Sequence, residues 1–136
     1  MERIQAAVAK VLIVDDHETF RTLNAKILEL DGHHVTMASG GRDALAIIHA
    51  EPPDIVLLDV MMPGMDGYQV CRQIKQDPET SGIVVIMVTA IPEDANSRSF
   101  QVGADDHISK PISPTQMRDL VQHWLAKKMT KKGKGL

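Results

Sequence analysis

The chain has one cysteine, Cys71, among its 136 residues. No internal disulfide can form, so the fold must rest on a packed core, as is usual in a reducing compartment. Aromatics are scarce as well: one Trp, one Tyr and two Phe. That leaves no platform on which unstacked bases would be held. No apolar run approaches the ~20 residues of a membrane-spanning helix. The opening "MERIQAAVAK" mixes acid and base where a secretory leader needs an apolar stretch. These absences suit a soluble cytoplasmic protein with no membrane segment. The length suits a single domain.

The net charge of −3 conceals an asymmetry. Five lysines and no acids lie in the last ten residues, "KKMTKKGKGL", which leaves 10 basic and 18 acidic residues in the preceding 126, a net of −8. An acidic body argues against direct nucleic-acid binding, which depends on neutralising phosphates. We read 1–9 as an N-terminal extension and 10–127 as the domain. Residues 128–136 read as a basic tail or the start of a linker, in preference to a contact for nucleic acid or anionic lipid.

Short apolar strings alternate with amphipathic stretches. "KVLIV" (10–14), "HHVTMA" (33–38), "DIVLL" (54–58), "IVVIMV" (83–88) and "DHIS" (106–109) read as strands. Helices are expected over 19–30, stopped near Gly32; over 41–50, stopped by Pro52-Pro53; over 66–76; over 93–102, stopped at Gly103; and over 114–127, with Pro114 in the first turn. In the first of these helices Phe20, Leu23, Ile27, Leu28 and Leu30 recur at helical spacing. Unbroken apolar strands alternating with helices predict an α/β fold: one doubly wound, parallel five-stranded sheet covered on both faces.

In such a sheet, ligands gather beyond the carboxyl ends of the strands. The residues there are Asp15-Asp16 after the first strand, Asp59 after the third, Thr89-Ala90 after the fourth and Lys110-Pro111 after the fifth. Singly, each has an ordinary reading, since Asp and Thr also cap helices and a lone lysine is commonplace on surfaces. Together they form a set of three acids, one hydroxyl and one ammonium from four separate strand ends. Two carboxylates ~5 Å apart repel by about 3 kcal/mol at an effective dielectric of about 20. A third therefore calls for a cation or for large pKa shifts. Oxygen donors without a histidine or thiol partner suit Mg²⁺, and zinc is disfavoured, because the six histidines show neither partner cysteines nor HExxH spacing. A carboxylate held at a rigid strand end beside Mg²⁺ can attack phosphorus and form an acyl phosphate. Lys110 and the Thr89 hydroxyl are placed to meet other phosphoryl oxygens.

"VLIVDDHETFR", "DIVLLDVMMPGMDG", "VIMVTA" and "GADDHISKPI", in that order and at these intervals, resemble the receiver domain of two-component response regulators, the CheY-like family. The resemblance covers roughly residues 10–127. It implies a flavodoxin-like strand order of 2-1-3-4-5. It also implies that Asp59 is the phosphoacceptor, and that Asp16, Asp15 (largely through water), Asp59 and the backbone carbonyl of Met61 hold Mg²⁺. Thr89 and Lys110 would contact the phosphate, and Lys110-Pro111 would be a cis peptide. The implied partners are a sensor histidine kinase or phosphotransfer protein. The implied output is a downstream target, or a second receiver, bound through the face of the fourth helix, fifth strand and fifth helix.

Three positions depart from the family's habits. His107 stands where a Tyr or Phe switch is common; it reads equally as an ordinary strand residue. Met61 and Ile91, each two residues beyond a site residue, are apolar and cannot orient a hydrolytic water, which predicts slow self-dephosphorylation. Met61 also counts against the main enzymatic rival, a phosphohydrolase with an aspartyl nucleophile, which would place a second Asp there as general acid. A flavin-binding flavodoxin-like protein would need a hydroxyl-rich loop where this chain has "DDHET". The reading is therefore a receiver that modifies itself rather than an enzyme that turns over an external substrate.

Overall fold

Five parallel strands are built from the five segments expected to form them. They are β1 (Lys10–Val14), β2 (His34–Ala38), β3 (Ile55–Asp59), β4 (Val84–Thr89) and β5 (Asp106–Ser109), hydrogen-bonded in the order β2-β1-β3-β4-β5. The expected order is thus the observed one. In this computed structural model the described residues are 8–90 and 98–134, the last four in backbone only.

The period of two along a strand sends alternate residues to opposite faces. Leu12, Val14, Val56, Leu58, Val85 and Met87 therefore face one core, with Ala44, Ile48, Val70, Cys71, Ile74 and Val102. These last come from α2 (Gly41–Ala50), α3 (Gly67–Gln76) and the segment closing α4, whose described part is 98–101. Val11, Ile13, Ile55, Leu57, Ile86 and Val88 face the other core, against Ala25, Leu28, Met117, Val121 and Leu125 of α1 (Glu18–Leu30) and α5 (Pro114–Lys134). Because both faces are covered, the central strands need apolar residues at every position; β3 and β4 are buried throughout.

α1 ends at Asp31, where Gly32 turns at φ 88° and its N–H donates to the Glu29 carbonyl at 2.9 Å. A bidentate pair then ties this end to α5, with Arg118 donating to both Asp31 carboxylate oxygens at 2.9 and 2.8 Å. That pairing holds the Asp31 carboxyl below its ordinary range. Beside it, buried His33 accepts the Ala9 N–H at Nδ1, 3.0 Å away. Burial lowers the His33 pKa. At the other side of the sheet, the Trp124 indole N–H of α5 donates to Asp106 Oδ2 at 2.8 Å, and Lys127 Nζ lies 5.1 Å from the Trp124 ring centroid.

α5 differs from expectation: it continues to Lys134 instead of stopping at Lys127. The lysines there are good helix formers. Lys128 also anchors the extension to the body, with its Nζ 3.3 Å from the Asp54 carbonyl and 3.4 Å from that of Gly82. Of the helix expected over 93–102, residues 93–97 lie outside the described part.

Candidate functional site

β1 and β3 are neighbours, and each ends on acid. Asp15 is 0 % exposed and Asp59 4 % exposed, so neither carboxylate has bulk water to stabilise its charge. Asp15 is held from several sides. Its N–H donates to the Ala38 carbonyl at 3.1 Å. Its Oδ1 accepts the His17 N–H at 2.8 Å, and its Oδ2 accepts from Lys110 Nζ at 2.8 Å. The same ammonium lies 3.7 Å from Asp59 Oδ1 and 4.4 Å from the centre of the Phe20 ring. Arg21 donates to the Asp15 carbonyl at 2.7 Å, which fixes the loop between β1 and α1.

Asp59 ends β3 in register with Val88 of β4. Its Oδ1 accepts a long hydrogen bond, 3.4 Å, from the Met61 N–H. Burial is the main cause that pushes the Asp59 pKa up to about 6, and the Asp15 charge adds to it; Lys110 opposes both. Asp16 contributes an oxygen, Oδ1, that is buried and has no hydrogen-bond partner. It is placed for a cation. Asp15, Asp16, Asp59 and His17 each offer one donor atom, and all four atoms fall within 4.8 Å of one another. Thus the cluster meets the test of a divalent-ion site: crowded carboxylates, one raised pKa and an oxygen left over.

Thr89 closes β4, fully buried, and its carbonyl accepts the Lys110 N–H at 2.8 Å. The bond ties two predicted site residues together at neighbouring strand ends, and the Lys110-Pro111 peptide is cis. His107, half-buried on β5, pairs with Met87 while Ser109 pairs with Thr89. Thr89 and His107 therefore lie on the same face of the sheet, one pleat repeat apart. Met61 is 57 % exposed, at the mouth of a cavity of about 330 Å³ that Val60, Met62, Pro63, Tyr68 and Arg98 also line. Ile91 lies outside the described residues.

The β3–α3 connection is shaped by two devices. Asp66 and Gln69 form a reciprocal capping box, each side chain accepting the other's backbone N–H at 2.9 Å. Gly67 packs so closely beneath the site that a Cβ there would collide with the Asp59 carbonyl oxygen and come within 2.9 Å of Val60 Cα. Asp59 is thus positioned by backbone on both sides.

Two residues escaped the sequence reading. Arg98 lies 4.4 Å from the centre of the Tyr68 ring at the cavity edge; its place depends on how α4 docks, which no local pattern encodes. His17 was visible in "DDHET", but the expected donor set was oxygen only; the structure adds an imidazole nitrogen to it.

Comparison with known proteins agrees with this architecture. The model of the response regulator receiver domain matches residues 11–122. The chain is 43 % identical over 111 residues to the response regulator PleD of Caulobacter vibrioides, covering 80 % of this chain and 24 % of that protein. It is 38 % identical over 120 residues to protein PilH of Pseudomonas aeruginosa, covering 88 % and 99 % respectively. A CheY-like receiver domain protein from Methanospirillum hungatei superposes with a TM-score of 0.86 at 27 % identity, over 92 % of this chain and 99 % of that one. The chain belongs to the response regulator receiver family and is a receiver of two-component signalling. It spans less than half the length of several relatives, such as the probable transcriptional regulator ycf27 of Guillardia theta, of which it covers 42 %. Among the described residues no helix is long and apolar enough to cross a membrane.

Proposed function

We propose that Asp59 accepts a phosphoryl group, from the phosphohistidine of a sensor kinase or phosphotransfer protein or from a small phosphodonor. An Asp59 oxygen attacks phosphorus, the bond to the donor nitrogen breaks, and its electron pair leaves with the imidazole. The observation that carries this reading is the placement of Asp59, buried at a strand end between Asp15 and Lys110. Mg²⁺, held by Asp15, Asp16, Asp59 and the Met61 carbonyl, would supply charge neutralisation at the phosphoryl oxygens. Lys110 is within reach of both Asp15 and Asp59, so it offsets the repulsion between the acids before transfer and meets a phosphoryl oxygen after it. Thr89 donates its hydroxyl to another.

The new dianionic group then biases a two-state element. Thr89 turns toward the phosphoryl group, and His107, one repeat away on the same face, moves into the space it leaves. The α4–β5–α5 face is thereby repacked for a downstream target or a second receiver. The unit doing this is 10–127 in a cytoplasmic setting, continued by the last turns of α5 to Lys134. It modifies itself and does not turn over an external substrate.

Mass spectrometry after treatment with acetyl phosphate and Mg²⁺ tests the proposal. Wild type gains one phosphoryl group and Asp59→Ala gains none; equal modification of the two proteins refutes the assignment.

A further inference from the structure

Where the chain enters β1, one buried side chain joins it to α1 and α5. His33, 3 % exposed, takes the Ala9 N–H on ring nitrogen Nδ1 at 3.0 Å. The Ala9 carbonyl accepts the His34 N–H at 2.9 Å, so Ala9 is fixed from both sides by the corner between α1 and β2. The His33 N–H donates to the Leu28 carbonyl of α1 at 3.3 Å. On the other side of the ring, the Gln122 side-chain amide of α5 lies 3.4 Å from Nε2. A ring nitrogen that accepts carries no proton, so Nδ1 is bare and the proton sits on Nε2. That second N–H is satisfied when the Gln122 amide presents its oxygen.

We propose that His33 is a proton-operated clasp: neutral, it closes the entry to β1 onto α1 and α5, and protonated, it releases Ala9. Protonation puts an N–H on Nδ1 that faces the Ala9 N–H head on. Two donors in contact at a site closed to water cannot both be satisfied, so they separate. The opening is bounded, because the next residue has its own anchor: the Lys10 N–H donates to Asp54 Oδ2 at 2.8 Å. Beyond that point β1, and the acids at its far end, stay in place. The charged groups facing this corner are Asp31, which ends α1, and Arg118 of α5. Asp31 favours the protonated ring, but Arg118 already takes both its oxygens. Asp119 of α5 adds its charge to Arg118, Lys10 Nζ lies 3.9 Å from Glu51, and His34 is exposed. Burial outweighs Asp31, so the folded ring binds its proton less tightly than a free imidazole. The stability this contributes is complete above the ordinary value of 6.5 and is lost as pH falls through the lower value of the fold.

Nuclear magnetic resonance of the whole isotope-labelled chain tests this. Ring-nitrogen shifts report the tautomer and titration of His33. Amide exchange, corrected for its intrinsic pH dependence, reports on Ala9, and the Leu57 amide of β3 marks global unfolding. Wild type is expected to show the Nε2–H tautomer at about pH 7.5. Between there and about pH 5, Ala9 protection should fall about tenfold or more while Leu57 is unchanged. His33→Asn places a carbonyl oxygen where Nδ1 stood and takes up no proton, so Ala9 should stay protected across the range. That variant keeps the titration of Asp59, which separates the two groups. His33→Ala should lose the protection at every pH. An Nδ1–H tautomer at neutral pH overturns the proposal, as does protonation that leaves Ala9 protected, or a ring that stays neutral until Leu57 also exchanges. So does a wild-type pH dependence in His33→Asn; should that variant not fold, the wild-type measurements decide alone.

Discussion

At the scale of single residues, Asp59 carries an electrostatic burden. Its pKa is raised to about 6 from an ordinary 3.8, with burial the chief cause. In the metal-free protein the unfolded chain therefore gives up this proton at lower pH than the fold does. The contribution to stability is complete below 3.8 and is lost as pH rises through about 6. Asp59→Asn should consequently raise the melting temperature of the metal-free protein at neutral pH, with the gain shrinking as pH falls toward 3.8; calorimetry across that range is the check. Met61, exposed at the cavity mouth, has no polar atom with which to hold a water. Met61→Asn should shorten the lifetime of the phosphorylated form severalfold, measured by loss of the modified mass. Asp15, Asp59 and Thr89 were legible because each directly follows an apolar string, Asp16 because it adjoins Asp15, and Lys110 because it follows the short fifth strand and precedes a proline. The His17 donor was not, since whether its ring folds back depends on a backbone hydrogen bond two residues long, which many loop conformations would not make.

At the scale of elements, the β3–α3 connection sets the site. Gly67 occupies a position where any Cβ meets backbone, which cannot yield as a flexible side chain would. Gly67→Ala should cost about 1–3 kcal/mol or more in urea unfolding and slow phosphorylation as well, since relief of the clash must move Asp59 or Val60. Helices and strands were largely readable from the sequence, to within a residue or two at most ends. α1 is the instructive exception. Leu23 and Leu30 recur in its apolar pattern, yet both are exposed, while Asn24 and Ala25 are buried. Leu30 stands about 200° around the helix from Leu28, so the two cannot share a face. Asn24 is tolerated inside because its amide donates to the Phe20 carbonyl at 2.9 Å. The end of α5 was misjudged for a related reason: charge and glycine suggested a loose tail, but the contacts of Lys128 with Asp54 and Gly82 come from distant parts of the chain.

At the scale of the molecule, the sheet separates two cores while its upper edge joins Asp15, Asp16, Asp59, Thr89 and Lys110. That division was foreseeable: only a sheet buried on both faces requires strands without polar interruption, and a strand order follows from the family resemblance. For how a change at Asp59 would reach the surface, the sequence offers only what the family resemblance implies, a switch through Thr89 and His107. The shared face of Thr89 and His107 offers a route across β4 and β5. His107→Ala should weaken phosphorylation-dependent binding of a partner while leaving phosphorylation itself unchanged, measured by pull-down against the rate of modification. Equal binding by both proteins would remove His107 from the route.

The single tryptophan sits between β5 and α5. Trp124 holds the first residue of β5 through its indole N–H and has a lysine ammonium near its ring. Any shift of β5 against α5 must lengthen or bend the first contact and alter the second. Both change the light this indole emits, so the protein carries a built-in optical gauge between β5 and α5, with no other tryptophan to blur the signal.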